Sequence, residues 1–202
     1  MKTTEFLEAR LDLHTKMAQA YQKFLEFIYI QNKNEPELQS SMNEARIKFL
    51  SIYFAVHAPV SPIFHHRPKL TGRKSGDRRY LVADYYSKDA LEALRDFPKK
   101  GLQLAFEHII PKDLMRQECE KQAAAGEVPA IDEIKKMLNQ SWHIAVVKRD
   151  EDRLLKPAKK MPDNWKLGGD VLARYRKEDA SMRFTLFRAS EDADACAAIL
   201  KI

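Results

Sequence analysis

Cysteine is nearly absent. Cys119 and Cys196 are the only two in 202 residues. Two thiols cannot build a cysteine-rich zinc module, and nothing in their spacing suggests a disulfide framework. A reducing, cytoplasmic compartment is the expected location. Glycine is also scarce, with six residues, and none form a phosphate-cradling loop of the Walker type or a dinucleotide-binding GxGxxG. No apolar run approaches the ~20 residues a membrane helix requires. The first residues lead into a charged amphipathic pattern rather than a signal peptide, so no membrane partner is expected.

Positive charge is in excess. Lysine and arginine number 35 against 29 aspartate and glutamate, a formal charge of +6. A basic balance favours a polyanionic partner, nucleic acid before an anionic membrane. The same balance also suits a well-solvated protein with no such partner. A hydrophobic fraction of 45% is enough to bury a core.

Helical periodicity dominates the first half. Residues 5–31 place Phe6, Leu7, Leu11, Leu13, Met17, Ala20, Tyr21, Phe24, Leu25, Phe27 and Ile28 at three- and four-residue spacing. The run Asn32-Lys33-Asn34-Glu35 breaks this helix. Pro36 then fits the first turn of a second one, running to about His57. The two predict a helical hairpin. Ser87 is a suitable N-cap for a helix to about Arg95. Further helices are predicted over residues 112–125, 131–140, 149–156 and 169–178, with a small one after Ser190. Strands are predicted for the apolar run 101–106 continuing into Glu107-His108, for 142–147, and for 183–188. The expected class is α+β, predominantly helical. Residues 1–100 form an N-terminal helical region with a basic loop, and residues 101–202 carry the strand pair.

The most informative stretch is Glu107-His108-Ile109-Ile110-Pro111. It sets an acidic residue and a histidine side by side at a strand end. A second strand opens beside His143, and a short helix with Asp150, Glu151 and Asp152 follows at once. Strand, strand, helix with these residues resembles the ββα-metal core of the HNH nuclease superfamily, over roughly residues 101–156. Members carry Asp-His or Glu-His on the first strand, an Asn or His near the second, and a third metal-binding position about eight residues later. His143 and Glu151 have that spacing, with Asp152 the neighbouring alternative. The chain departs from the common pattern in having His at the middle position and an acid at the last.

The resemblance implies a small ββα-metal core with an N-terminal helical hairpin and helical insertions. It implies a metal-dependent endonuclease that hydrolyses phosphodiester bonds in DNA, with restriction or defence as a setting. Such chemistry needs a proton acceptor for water and a cation to neutralise developing charge. His108 is therefore assigned as general base, and Glu107, His143 and Glu151 as metal ligands, with Asp152 as substitute. Carboxylates favour Mg²⁺; the imidazole also suits Mn²⁺, Zn²⁺ or Ni²⁺. Each residue alone has a plainer reading: a strand histidine bonded to a carbonyl, or a solvated acidic helix start.

Arg67, Lys69, Arg73, Lys74, Arg78 and Arg79 cluster within thirteen residues. They are assigned as phosphate contacts to DNA, with RNA left open; a solvated loop is the alternative. The N-terminal hairpin could supply a homodimer interface. Two competing functions remain open: a non-catalytic nucleic-acid-binding protein, and a helical protein-interaction module.

Overall fold

The computed structural model describes residues 3–65, 78–95, 102–155 and 160–201. Helix α1 (Thr3–Leu25) continues into a π-helical turn, Glu26–Gln31. Its buried face is Phe6, Arg10, Leu13, His14, Met17, Ala18, Tyr21 and Leu25, a repeat of three and four residues that places them on one stripe. Leu7 and Leu11 lie off that stripe and stay exposed. Asn32 ends the π turn by donating its side-chain amide to the Phe27 carbonyl at 2.7 Å.

Pro36 opens α2 (Pro36–Ser41), and α3 (Asn43–His57) follows. The expected single helix is thus two, because Met42 at φ −83°, ψ 0° leaves the helical path. Then come β1 (Tyr85–Ser87), α4 (Lys88–Arg95), β2 (Leu104–His108), α5 (Lys112–Ala124), α6 (Ile131–Ser141), β3 (Ile144–Lys148), α7 (Arg149–Leu155), β4 (Leu186–Arg188) and α8 (Ala193–Leu200). Ser87 caps α4 as expected: its hydroxyl accepts the Ala90 amide at 3.1 Å. None of the helices among the described residues is long and apolar enough to cross a membrane.

The strands form one mixed sheet in the order β2-β3-β1-β4. Strands β2 and β3 are antiparallel, with Leu104 opposite Lys148 and His108 opposite Ile144. Strand β1 runs parallel to β3 and antiparallel to β4. It comes from the first hundred residues yet sits between two strands of the second hundred. One sheet therefore joins the two regions distinguished by sequence.

Alternation along the strands divides the sheet into two faces. Leu104, Phe106, Ile144, Val146 and Tyr86 belong with the large core built by α1, α3, α4, α5 and α6. Ala105, Ile109, Ala145, Val147 and Tyr85 face a smaller core with Leu155 of α7 and Tyr175. Strand, strand and helix thus follow in the expected order through β2, β3 and α7, within a larger mixed sheet.

The helix expected over 169–178 is absent. Gly168 takes a positive φ of 90°, and Asp170 binds locally instead. Its carboxylate accepts the Leu172 amide at 3.0 Å and Arg176 Nε at 2.8 Å. Side-chain bonds of this type compete with a helical ladder, and only a short 3₁₀ turn, Ala173–Tyr175, remains.

Candidate functional site

The β2–β3 register decides where the motif residues go. Glu107 and His108 are consecutive, so their side chains leave opposite faces of the sheet. The His108 ring enters the large core. It lies edge-on to Phe106 and Trp142, at centroid distances of 5.9 and 5.0 Å. Its Nε2 is 3.4 Å from Ser51 Oγ of α3. The residue keeps some accessible surface, but its ring is enclosed by protein. Burial, aided by the Lys112 and Arg174 cations, lowers its pKa from 6.5 to about 3. His108 is neutral at pH 7 and a weak proton acceptor. That departs from a general base poised near neutrality.

Glu107 faces the smaller core. Its Oε1 lies 3.0 Å from Arg174 Nη1, and the guanidinium is 6% exposed. The same nitrogen donates to the His108 carbonyl at 3.2 Å. Arg174 thus ties the C-terminal segment to the end of β2. Arg174 Nε and the Tyr175 hydroxyl are buried there without a hydrogen-bond partner.

His143 lies opposite Ile109, whose amide donates to the His143 carbonyl at 2.9 Å. It therefore shares a face with Glu107 as a diagonal neighbour, a separation of about 7–8 Å in an antiparallel pair. Its ring is edge-on to Tyr85 at 6.5 Å. Burial is the main cause that lowers its pKa, with Arg188 and Arg10 adding to the effect and Asp84 opposing it.

Glu151 sits at the other end of β3. Its Oε2 accepts the Lys148 amide at 2.8 Å and the Ser87 hydroxyl. Burial raises its pKa, and these two donors oppose that rise. Five strand steps of ~3.3 Å separate His143 from Lys148, about 16 Å. One ion bound at about 2.0–2.6 Å cannot reach both. The expected ligand set of Glu107, His143 and Glu151 is therefore corrected: Glu107 and His143 are neighbours, and Glu151 belongs to a separate hydrogen-bonded corner. Asp152, the alternative, lies one residue further along α7. Among the described residues no three histidine, cysteine, aspartate or glutamate side chains are placed to hold a metal ion. Among the described residues the expected ligands do not converge on one ion.

Arg67, Lys69, Arg73 and Lys74 lie outside the described residues. Arg78 has a different task from the expected phosphate contact. Its Nη1 donates to the Ala55 and Val56 carbonyls at 3.1 Å each, and its Nη2 to Ala58 at 2.6 Å. It caps the C-terminus of α3, where the last carbonyls lack partners and the helix dipole favours a cation. Arg79 is exposed, with its guanidinium 4.7 Å from the Tyr80 ring centroid.

Sequence reasoning missed a second constellation. Arg10 and His14 are one turn apart on the buried stripe of α1. Arg10 Nε donates to Asp84 Oδ1 at 2.9 Å, and its guanidinium lies 4.4 Å from the centroid of Phe54. Asp84 Oδ2 accepts the Ile144 amide at 3.0 Å. One carboxylate thus pins α1 to the start of β3. His14 Nδ1 lies 2.8 Å from Asn139 Oδ1 of α6, and burial lowers the His14 pKa to about 4. The Asn139 oxygen is an acceptor, so the ring proton sits on Nδ1 and Nε2 carries a lone pair.

These residues border a cavity of about 290 Å³, which Trp142, His143 and Arg188 also line. Arg10 Nη1, His14 Nε2 and Trp142 Nε1 are buried without a hydrogen-bond partner. Leaving such groups unpaired costs about 1–3 kcal/mol each. A larger cleft of about 810 Å³ lies beside α5, lined by Leu114, Met115, Trp165 and Leu167 among others; none of the unpartnered atoms borders it. The readable signal for the smaller cavity was Arg10 and His14 falling at the spacing of Phe6, Leu13 and Met17.

No family model, curated protein or solved structure matches the chain.

Proposed function

We propose that this chain is a nucleic-acid-binding protein whose strand pair does not act as a hydrolase. The net charge of +6 carries the binding half of this reading. Phosphate neutralisation by lysine and arginine supplies most sequence-independent affinity. The exposed Arg79, its guanidinium beside the half-buried Tyr80 ring, adds a cation to the surface. The surroundings of His108 and Glu107 support a non-catalytic strand pair. The first is buried and neutral at pH 7, and the second is held by Arg174.

A metal-dependent endonuclease is the second reading. Its support is the order β2, β3, α7 and the placement of Glu107 and His143 on one face. Incubation with supercoiled plasmid and Mg²⁺ or Mn²⁺ separates the two. Nicking by the wild type that is lost in Glu107→Gln favours the endonuclease. For the binding reading, fluorescence anisotropy of duplex DNA and of single-stranded RNA is measured between 50 and 300 mM salt. Log affinity is expected to fall linearly with log salt. An absence of salt-sensitive affinity for either polymer sinks the reading and moves the chain to the protein-interaction class.

A further inference from the structure

We propose that the groove along the exposed side of α5 receives a basic amphipathic helix of a partner protein. The proposal goes beyond the nucleic-acid reading and does not depend on it.

Two clefts that meet form the groove. The larger, of about 810 Å³, is lined by Leu114, Gln117 and Glu118 of α5 and by Trp165 and Leu167. The smaller, of about 590 Å³, is lined by Glu118, Lys121 and Gln122 of α5 and by Val128 and Glu133. Glu118 belongs to both. These α5 residues recur at three- and four-residue spacing, so one stripe of the helix supplies the whole wall. From Asp113 to Ala125, which also line the two clefts, the rise of ~1.5 Å per residue gives about 18 Å, or roughly three turns of a guest helix.

The apolar walls are within reach of a guest. Leu114 and Leu167 are 43% and 40% exposed, and Trp165 is half-buried. Trp165 Nε1 is already bonded to the Asp170 carbonyl at 2.9 Å, so what the ring offers is apolar surface.

Charge selects the partner. Among the described residues, Asp113, Glu118 and Asp163 line the larger cleft against Lys160. Glu118, Glu127 and Glu133 line the smaller against Lys121. Asp113 is held by Arg116 at 3.0 Å. Glu118 accepts only a neutral amide, from Gln122 at 3.2 Å. Neither Glu118 nor Asp163 forms an ion pair among the described residues. The chain as a whole carries +6, so this acidic tract runs against its average charge. Fields fade over about 8 Å at physiological salt, and the local acids therefore govern what approaches. They repel a phosphate backbone and attract lysine and arginine.

Backbone chemistry selects the helix. No strand residue among those described lines either cleft. An extended peptide would find no sheet edge there and would set unpaired amides and carbonyls against apolar walls. A helix pairs its own backbone and lays an apolar stripe into such a groove.

The test uses the full chain and a fluorescein-labelled peptide of leucine and lysine, as long as the groove, with leucines at three- and four-residue spacing. One control peptide has the same composition with the leucines scattered; a second has glutamate in place of lysine. Anisotropy is expected to show binding of the amphipathic lysine peptide, with both controls weaker by about tenfold or more, the effect of losing one strong contact. Glu118→Lys and Leu114→Arg, both at exposed positions, should each weaken binding by a similar factor and melt at the wild-type temperature. Glu92→Lys, the same charge change on α4 outside both clefts, should leave binding intact. No binding, affinity unchanged in Glu118→Lys or Leu114→Arg, or an equal loss in Glu92→Lys overturns the proposal. Preference for the glutamate peptide overturns it too. So does dimerisation in sedimentation that Leu114→Arg abolishes, which would assign the groove to a second copy of this chain.

Discussion

Two buried arginine–carboxylate pairs lie on opposite faces of one sheet. On the helical face, Arg10 holds Asp84, with side chains 7% and 16% exposed. On the α7 face, Arg174 holds Glu107, with side chains 6% and 21% exposed. Both pairs fasten a distant segment to a strand end. They differ in what surrounds them. Asp84 also holds the Ile144 amide and lines a cavity together with Arg10, His14 and Trp142. Glu107 is the residue whose sequence setting suggested chemistry, and its carboxylate is engaged by protein. A motif residue can be spent on structure while an unremarked pair shapes a cavity.

Breaking each pair should give unequal losses. Asp84→Asn removes the charge that balances Arg10 and weakens the tie between α1 and β3. Loss of one partner from a buried pair costs about 3–5 kcal/mol. Glu107→Gln strands Arg174, which is as buried as Arg10, but Asp84 also anchors the Ile144 amide, so the Glu107 loss should be the smaller, about 1–3 kcal/mol. Urea unfolding of both variants at pH 7 measures the difference. Equal losses would abolish the asymmetry drawn between the two faces.

Much of the helical scaffold was legible in the sequence, because local rules suffice for it. The helix read over 5–31 corresponds to Thr3–Leu25 plus the π turn, and the Ser87 cap is in place. The face of α1 was harder. Counting apolar residues alone favoured Leu7 and Leu11, which are exposed, and passed over Arg10 and His14, which are buried. Their burial depends on Asp84 and Asn139, 74 and 125 residues away, and nothing local announces such partners. Strand β1 has three residues, Tyr85–Ser87, too few to show a period. It exists because β3 and β4 flank it. The expected ligands were separated for a related reason. Spacing in sequence put His143 and Glu151 eight apart, and a straight β3 carried them to opposite ends of the sheet.

The helical face should also be the more acid-sensitive one. His14 and His108 are held neutral there, with pKa values lowered to about 4 and about 3 from an ordinary 6.5. Below pH 6.5 the unfolded chain takes up protons that the folded chain refuses. Stability is therefore full above pH 6.5 and falls as the pH drops toward the folded values. Each histidine contributes a slope approaching about 1.4 kcal/mol per pH unit in that window. Between pH 7 and pH 5, His108→Gln should remove about 2 kcal/mol of the wild-type decline. Denaturant midpoints at half-unit intervals test this. An unchanged pH slope in the variant would mean that His108 is protonated within the folded protein.

The smallest expected effect concerns a third arginine on the same face. Arg78 lies close enough to Arg10 to feel its charge, yet its own guanidinium is taken up by the Ala55, Val56 and Ala58 carbonyls at the end of α3. Arg78→Ala should leave those carbonyls to water and cost about 1 kcal/mol, in the range for a helix-terminal cation. Because its donors point into the helix end, the variant should bind duplex DNA with nearly wild-type affinity and an unchanged salt slope. Arg79→Ala, which removes the exposed cation beside Tyr80, should reduce that slope by about one contact while leaving stability unaltered. Anisotropy titrations of the two variants at several salt concentrations distinguish these outcomes. A slope that drops in Arg78→Ala and holds in Arg79→Ala would reverse the roles given to neighbouring residues, and with them the division between scaffold and binding surface along this edge.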